Sequence, residues 1–193
     1  MGATTASPSS LLPRPSQARR AIGWAGLLAG SLDITAAFVE AGLKGRSPVS
    51  VLQGIAGGLL GMSSFRGGLA TAALGAVFHF VIATTAAAVF YLASRKLKFL
   101  VRQAIPSGLL YGVAVYIFMY YLVLPISAYH AKIALPTMSG LIRDVAVHMF
   151  MVGLPISLAV RKWTGQSFSE GHTGALTAGS LLDTLTATLR LNA

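Results

Sequence analysis

Two acidic residues stand inside an apolar run. Asp33 lies near the middle of Ala21 to Gly42, AIGWAGLLAGSLDITAAFVEAG, and Glu40 lies near its far end. A carboxylate at the centre of a membrane-spanning helix costs roughly 2.5 to 3.5 kcal/mol on the insertion scale, whereas each Leu, Ile, Phe or Val gains about 0.3 to 0.6. The Leu, Ile, Phe and Val side chains of this run supply roughly 2 to 4 kcal/mol together, which about cancels Asp33 alone. The helix therefore needs a polar partner. Asp33 and Glu40 are seven positions apart and share one helical face.

His79 is the candidate partner for Asp33. Counted from the outer ends of their spans at about 1.5 Å per residue, Asp33 lies about 12 Å deep and His79 about 16 Å, less than one helical turn apart. Glu40, Asp144 and His148 fall in the outer third, within reach of Arg66 and Arg143. Asp33, His79, Glu40, Asp144 and His148 thus form a candidate polar cluster running from the outer surface to mid-membrane. Two readings of Asp33 and His79 stand. Intramembrane ionisable groups usually mark an ion, proton or solute pathway. A protonated Asp33 hydrogen-bonded to His79 would equally tether a marginal first span to a strong second one. Glu40, Asp144 and His148 are expected on a hydrated outer face, since groups near helix ends reach water.

Other chemistry finds little footing in these residues. The chain has no Cys, which excludes disulfides, Cys-ligated metals and thiol catalysis. Haem ligation by His79 and His148 would need matched depths, and theirs differ by about 8 Å. A carboxylate di-metal site needs Glu-x-x-His pairs, which are absent, and no paired motif for intramembrane proteolysis occurs. Neither an enzyme nor a cofactor or metal site is expected.

The elements that must position the cluster follow from composition. With 193 residues, 54% hydrophobic, 10% charged and a mean hydropathy of +0.70, the chain is too apolar for one soluble core. The expected fold is all-α, a polytopic membrane bundle of four transmembrane helices with short interfacial helices. The spans are expected at about 21–42, 68–93, 104–127 and 143–160. Between the first two, Ser47 and Pro48 make a fitting N-cap and N1 pair, and VLQGIAGGLLGM gives about three turns, too short to span. Residues 51–62 are expected to be interfacial or re-entrant. Residues 1–20 read as a disordered cytoplasmic tail; Arg19 and Arg20 before an apolar run also resemble a signal sequence, but the run is longer than a secretory h-region. Residues 163–193 form a second tail, with an amphipathic helix at about 181–190.

The formal charge of +10 reads as membrane topology, since the cations sit in short groups between apolar runs and form no nucleic-acid stripe. With both termini cytoplasmic, the inner segments hold ten Lys and Arg and the outer segments five, which favours that orientation. Gly26 and Gly30, and Gly108 and Gly112, are each spaced i, i+4, a spacing that lets helices approach closely within the chain or in a homodimer. MYYLVLPISAYHAK and MFMVGLPISLAVRK share Met, Leu-Pro-Ile-Ser and a closing Lys at an offset of 30. Short matches in apolar sequence arise easily by chance, so Pro125 and Pro155 are read as helix kinks.

The stretches SPVSVLQGIAGGLLG, FRGGLATAALGAVFHF and HMFMVGLPISLAVRK resemble a group of small bacterial inner-membrane proteins of unknown function. The likeness covers roughly Gly23 to Lys162 and leaves out both tails. It implies a four-span protein of the bacterial inner membrane and brings no activity and no catalytic residue. The functional expectation is a non-enzymatic membrane protein that acts through helix packing with itself or a membrane partner, with the lipid bilayer as its surroundings. The alternative is a small proton-linked transporter or ion pathway built on Asp33 and His79.

Overall fold

The computed structural model describes residues 15–128 and 137–164. Among them every regular element is helical. In chain order these are α1 (Pro15–Leu43), α2 (Pro48–Leu60) continued by a 3-10 turn (Gly61–Arg66), α3 (Gly68–Lys96), α4 (Phe99–Arg102), α5 (Ala104–Ile126) and α6 (Met138–Thr164). The expected amphipathic helix at 181–190 lies outside the described residues.

Local chemistry sets the boundaries. The Ser47 side chain accepts the Ser50 N–H and Pro48 occupies the first turn, so α2 starts there. Gly61 then takes φ +62° and ends it, and Gly68 at φ +56° opens α3; both are left-handed conformations in which a side chain would be strained. Thr137 caps α6 by accepting the Gly140 N–H.

Four helices run end to end and neighbours are antiparallel. Gly26 and Gly30 of α1 lie against Thr84 and Phe80 of α3. The Tyr111 hydroxyl of α5 donates to the Ala86 carbonyl of α3 at 2.7 Å. Gly108 and Gly112 of α5 lie against Ser157 and Met149 of α6, and α6 closes the ring on α1. One end of this bundle carries Arg19, Arg95 and Arg161 and is called the basic end. The other carries Glu40, Arg143 and Asp144 and is called the mixed-charge end.

By length and composition five helices could cross a membrane, because the 3-10 turn extends the α2 segment to 19 residues, Pro48–Arg66. The expectation of only three turns stopped at Met62 and missed that extension. Both ends of the segment nevertheless stay at the mixed-charge end. It follows α1 through a tight turn and leads through Gly67 directly into the start of α3, and midway along it the Gly58 carbonyl accepts the Ala128 N–H at 2.8 Å, just beyond α5. Its first half presses on Gly75, where any Cβ would overlap the Leu52 carbonyl. Gly75 is seven residues into α3, about 10 Å from the end.

Several helix boundaries move outward from the sequence expectation. Residues 15–20, read as disordered tail, belong to α1, because Ala18 and Ala21 extend its contact with the buried cluster. The last helix runs from Met138 to Thr164 and not from 143 to 160, since Thr137 caps it earlier and Trp163 packs against the same cluster.

Small side chains line much of the interior beside a few large ones, and many large side chains face outward. Ala21, Ala25, Ala29 and Ala87 are buried, while Trp24, Leu27, Val77, Val81, Leu110 and Phe150 are exposed. That inverts a water-soluble core and gives backbones close approach with large side chains toward lipid. The chain is an integral membrane protein of multi-pass architecture.

Candidate functional site

The two halves of the bundle differ. Toward the basic end, Ala21, Ala25 and Ala29 close on Phe90, Tyr91, Val152, Ile156 and Val160 in one buried apolar cluster. Toward the mixed-charge end no large aliphatic side chain is buried among the described residues; the buried positions there are small or polar, among them Ala41, Ala72, Gln53, Ser64, His79 and Tyr116. No residue of Met138–Val147 is buried. Every acid of the described residues (Asp33, Glu40, Asp144) and both described histidines lie in this second half or at its inner limit.

His79 sits at that limit. Its Nε2 is 2.8 Å from the Gly30 carbonyl oxygen. A carbonyl only accepts, so Nε2 carries the proton. The ring meets Phe80 edge to face at 5.3 Å. Gly30 makes the approach possible, since a Cβ there would come within 2.9 Å of the Phe80 ring and 3.1 Å of the Ala83 methyl.

Asp33 is one turn further along α1. It is half-buried, and among the described residues nothing is hydrogen-bonded to its carboxyl. The polar link between α1 and α3 is thus imidazole to main chain, where the sequence had led us to consider imidazole to carboxyl. The glycine leaves its carbonyl uncovered on the face the ring approaches, and helix depth alone does not reveal that.

Glu40, Asp144 and His148 are placed at the mixed-charge end and its approach. Arg143 Nη2 lies 3.1 Å from Glu40 Oε1 and 2.9 Å from Asp144 Oδ1, so one guanidinium joins α1 to α6. Lys44 also pairs with Glu40. Arg143 and Lys44 are 44% and 52% exposed, and exposed pairs of this kind contribute little to stability. His148 turns Nδ1 to the Asp144 carbonyl at 2.8 Å, and its ring meets Tyr116 edge to face at 5.4 Å. Asp144 and His148 are therefore linked through the backbone and not through the carboxylate.

Two features escaped sequence reasoning. The first is that the buried Tyr116 hydroxyl has no hydrogen-bond partner among the described residues; Tyr120 stacks on its ring at 5.7 Å. The second is a pair of π-helical turns, Met119–Val123 in α5 and His148–Gly153 in α6. In each, the Leu N–H donates to the Met carbonyl five residues back, Leu124 to Met119 and Leu154 to Met149. In each, a Pro follows and the next Ser hydroxyl returns to that Leu carbonyl, at 2.7 Å for Ser127 and 2.9 Å for Ser157. Pro has no N–H to continue the ladder and its ring crowds the carbonyl four residues back, which a widened turn relieves. The Leu-Pro-Ile-Ser match is the signal that could have found them.

The four glycines face helix neighbours within this chain. Gly153, not singled out from the sequence, answers Gly108 and Gly112 from the opposite side, with its added Cβ 2.7 Å from Gly112 Cα. Among the described residues no group of three or more His, Asp or Glu is placed to hold a metal ion. Comparison with protein-family profiles, with curated proteins and with solved structures gave no match.

Proposed function

We propose that this protein is a small proton-linked transporter or ion pathway of the bacterial inner membrane, with its basic end and both termini in the cytoplasm. The observation that carries the reading is the segregation of titratable groups: all described acids and histidines lie in one half, above a sealed apolar half. Intramembrane carboxyls are costly and ordinarily serve a pathway. Asp33, with no hydrogen-bonding partner among the described residues, is the group that binds the proton or ion. Arg143, between Glu40 and Asp144, holds the mouth between α1 and α6. Passage onward requires α1 to part from α6 along Ala21, Ala25, Ala29, Val152, Ile156 and Val160. The π turn at His148–Gly153 borders that seam, and π turns are common hinge points in helices. The positive-inside rule supports the orientation.

Action through helix packing, without transport, is the second reading. It is favoured by the His79–Gly30 bond, which joins α1 to α3 without involving any other titratable side chain. The i, i+4 glycines weigh against a homodimer made through them, since they already face α3 and α6. Proteoliposomes loaded with a pH-sensitive dye separate the two. Under an imposed pH gradient, wild-type vesicles should acidify faster than empty ones; equal rates would overturn transport and leave packing.

A further inference from the structure

The basic end has a composition the pathway does not use. Arg19 and Arg20 on α1, Arg95 and Lys96 at the close of α3, and Arg161 and Lys162 near the close of α6 are all exposed. Lys98 and Arg102 add two more exposed cations on the link between α3 and α5. Among the described residues none of these eight is in an ion pair, and the three acids all belong to the other half. Eight like charges on one rim make a positive field that attracts anions.

The link itself indicates which anion. Leu100 and Val101 of α4 pack down onto the buried cluster, which turns their neighbours outward. Leu97 and Phe99 are 48% and 54% exposed, and Ile105 is 57% exposed where α5 begins. Exposed apolar side chains thus alternate with Lys98 and Arg102 along one short stretch. A soluble polyanion would gain nothing from Leu97 or Ile105, and only a nucleic-acid base could stack on Phe99. A lipid has both parts, a phosphate for the cations and acyl chains for the apolar side chains.

We propose that the basic end is a binding surface for anionic phospholipid, with Lys98 and Arg102 on the headgroup phosphate and Leu97, Phe99 and Ile105 beside the acyl chains. This surface is independent of the proton pathway. The test uses the full chain in neutral detergent, titrated with phosphatidylglycerol, phosphatidylcholine, inorganic phosphate or a short RNA, with thermal unfolding as the readout. Phosphatidylglycerol should raise the melting temperature in low salt and less in high salt, and the other three should not. The double variant Lys98→Gln/Arg102→Gln should weaken the apparent lipid affinity on the order of tenfold while its melting temperature without lipid stays unchanged. Phe99→Ser should weaken it too. Equal stabilisation by phosphatidylcholine, by phosphate or by RNA would overturn the proposal, as would a double variant that responds to phosphatidylglycerol like wild type.

Discussion

The imidazole of His79 donates a hydrogen bond to the main-chain carbonyl of Gly30, 2.8 Å away on the neighbouring helix. The bond joins the acid-bearing first helix to the more apolar α3, and it stands where the polar half of the bundle gives way to the apolar half. A buried bond of this kind contributes about 1 kcal/mol net. His79→Leu should therefore lower stability by about 1 to 2 kcal/mol in detergent unfolding. Unchanged unfolding would mean that the two helices are held by packing alone.

Glycine substitutions should divide by location. At Gly112 and Gly153 a side chain meets the backbone of the facing helix, so Gly112→Leu or Gly153→Val should cost several kcal/mol or prevent assembly, on the order of overpacking penalties of about 1 to 3 kcal/mol or more. At Gly58 nothing lies within 4 Å of an added Cβ. Gly58→Ala should be neutral or should stabilise α2 by up to about 1 kcal/mol. Melting temperatures of the three purified variants test the contrast.

The buried Tyr116 hydroxyl gives a prediction of opposite sign to most core mutations. It has no partner among the described residues, and a buried unsatisfied polar group costs about 1 to 3 kcal/mol. Tyr116→Phe keeps the ring contacts with Tyr120 and His148 and removes that cost, so the variant should unfold at the same temperature as wild type or higher. A clear loss of stability would show that the hydroxyl makes a bond within the folded protein.

The ion pairs of Arg143 should matter for the mouth and not for the fold. Arg143→Gln should leave thermal stability within the noise, because the guanidinium is well exposed and its pairs are screened by salt. Its effect should appear in the rate of proton entry. A large drop in melting temperature would contradict this placement.

How far the sequence reached can be judged residue by residue. Apolar run length located the traversing helices because the bilayer sets element length so directly. It misjudged α2 because the 3-10 continuation through Phe65 and Arg66 breaks the apolar pattern without ending the turn. Depth counting brought Asp33, Glu40, Asp144 and His79 into one half, since rise per residue is fixed. It did not tell that His79 would take a backbone oxygen, because an uncovered glycine carbonyl leaves no mark in side-chain chemistry. The π turns were written in Leu-Pro-Ile-Ser, but one mismatched turn alters no hydrophobic pattern strongly enough to be read alone.

The central claim is that Asp33 is the proton- or ion-binding group of a membrane pathway. Proton flux into proteoliposomes, compared among wild type, Asp33→Asn and Asp33→Glu at matched protein content, tests it most directly. The account predicts that Asp33→Asn lowers flux at least tenfold, on the scale of losing an essential proton-binding carboxyl, and that Asp33→Glu restores part of it. Undiminished flux in Asp33→Asn, or no flux in the wild type, would contradict it.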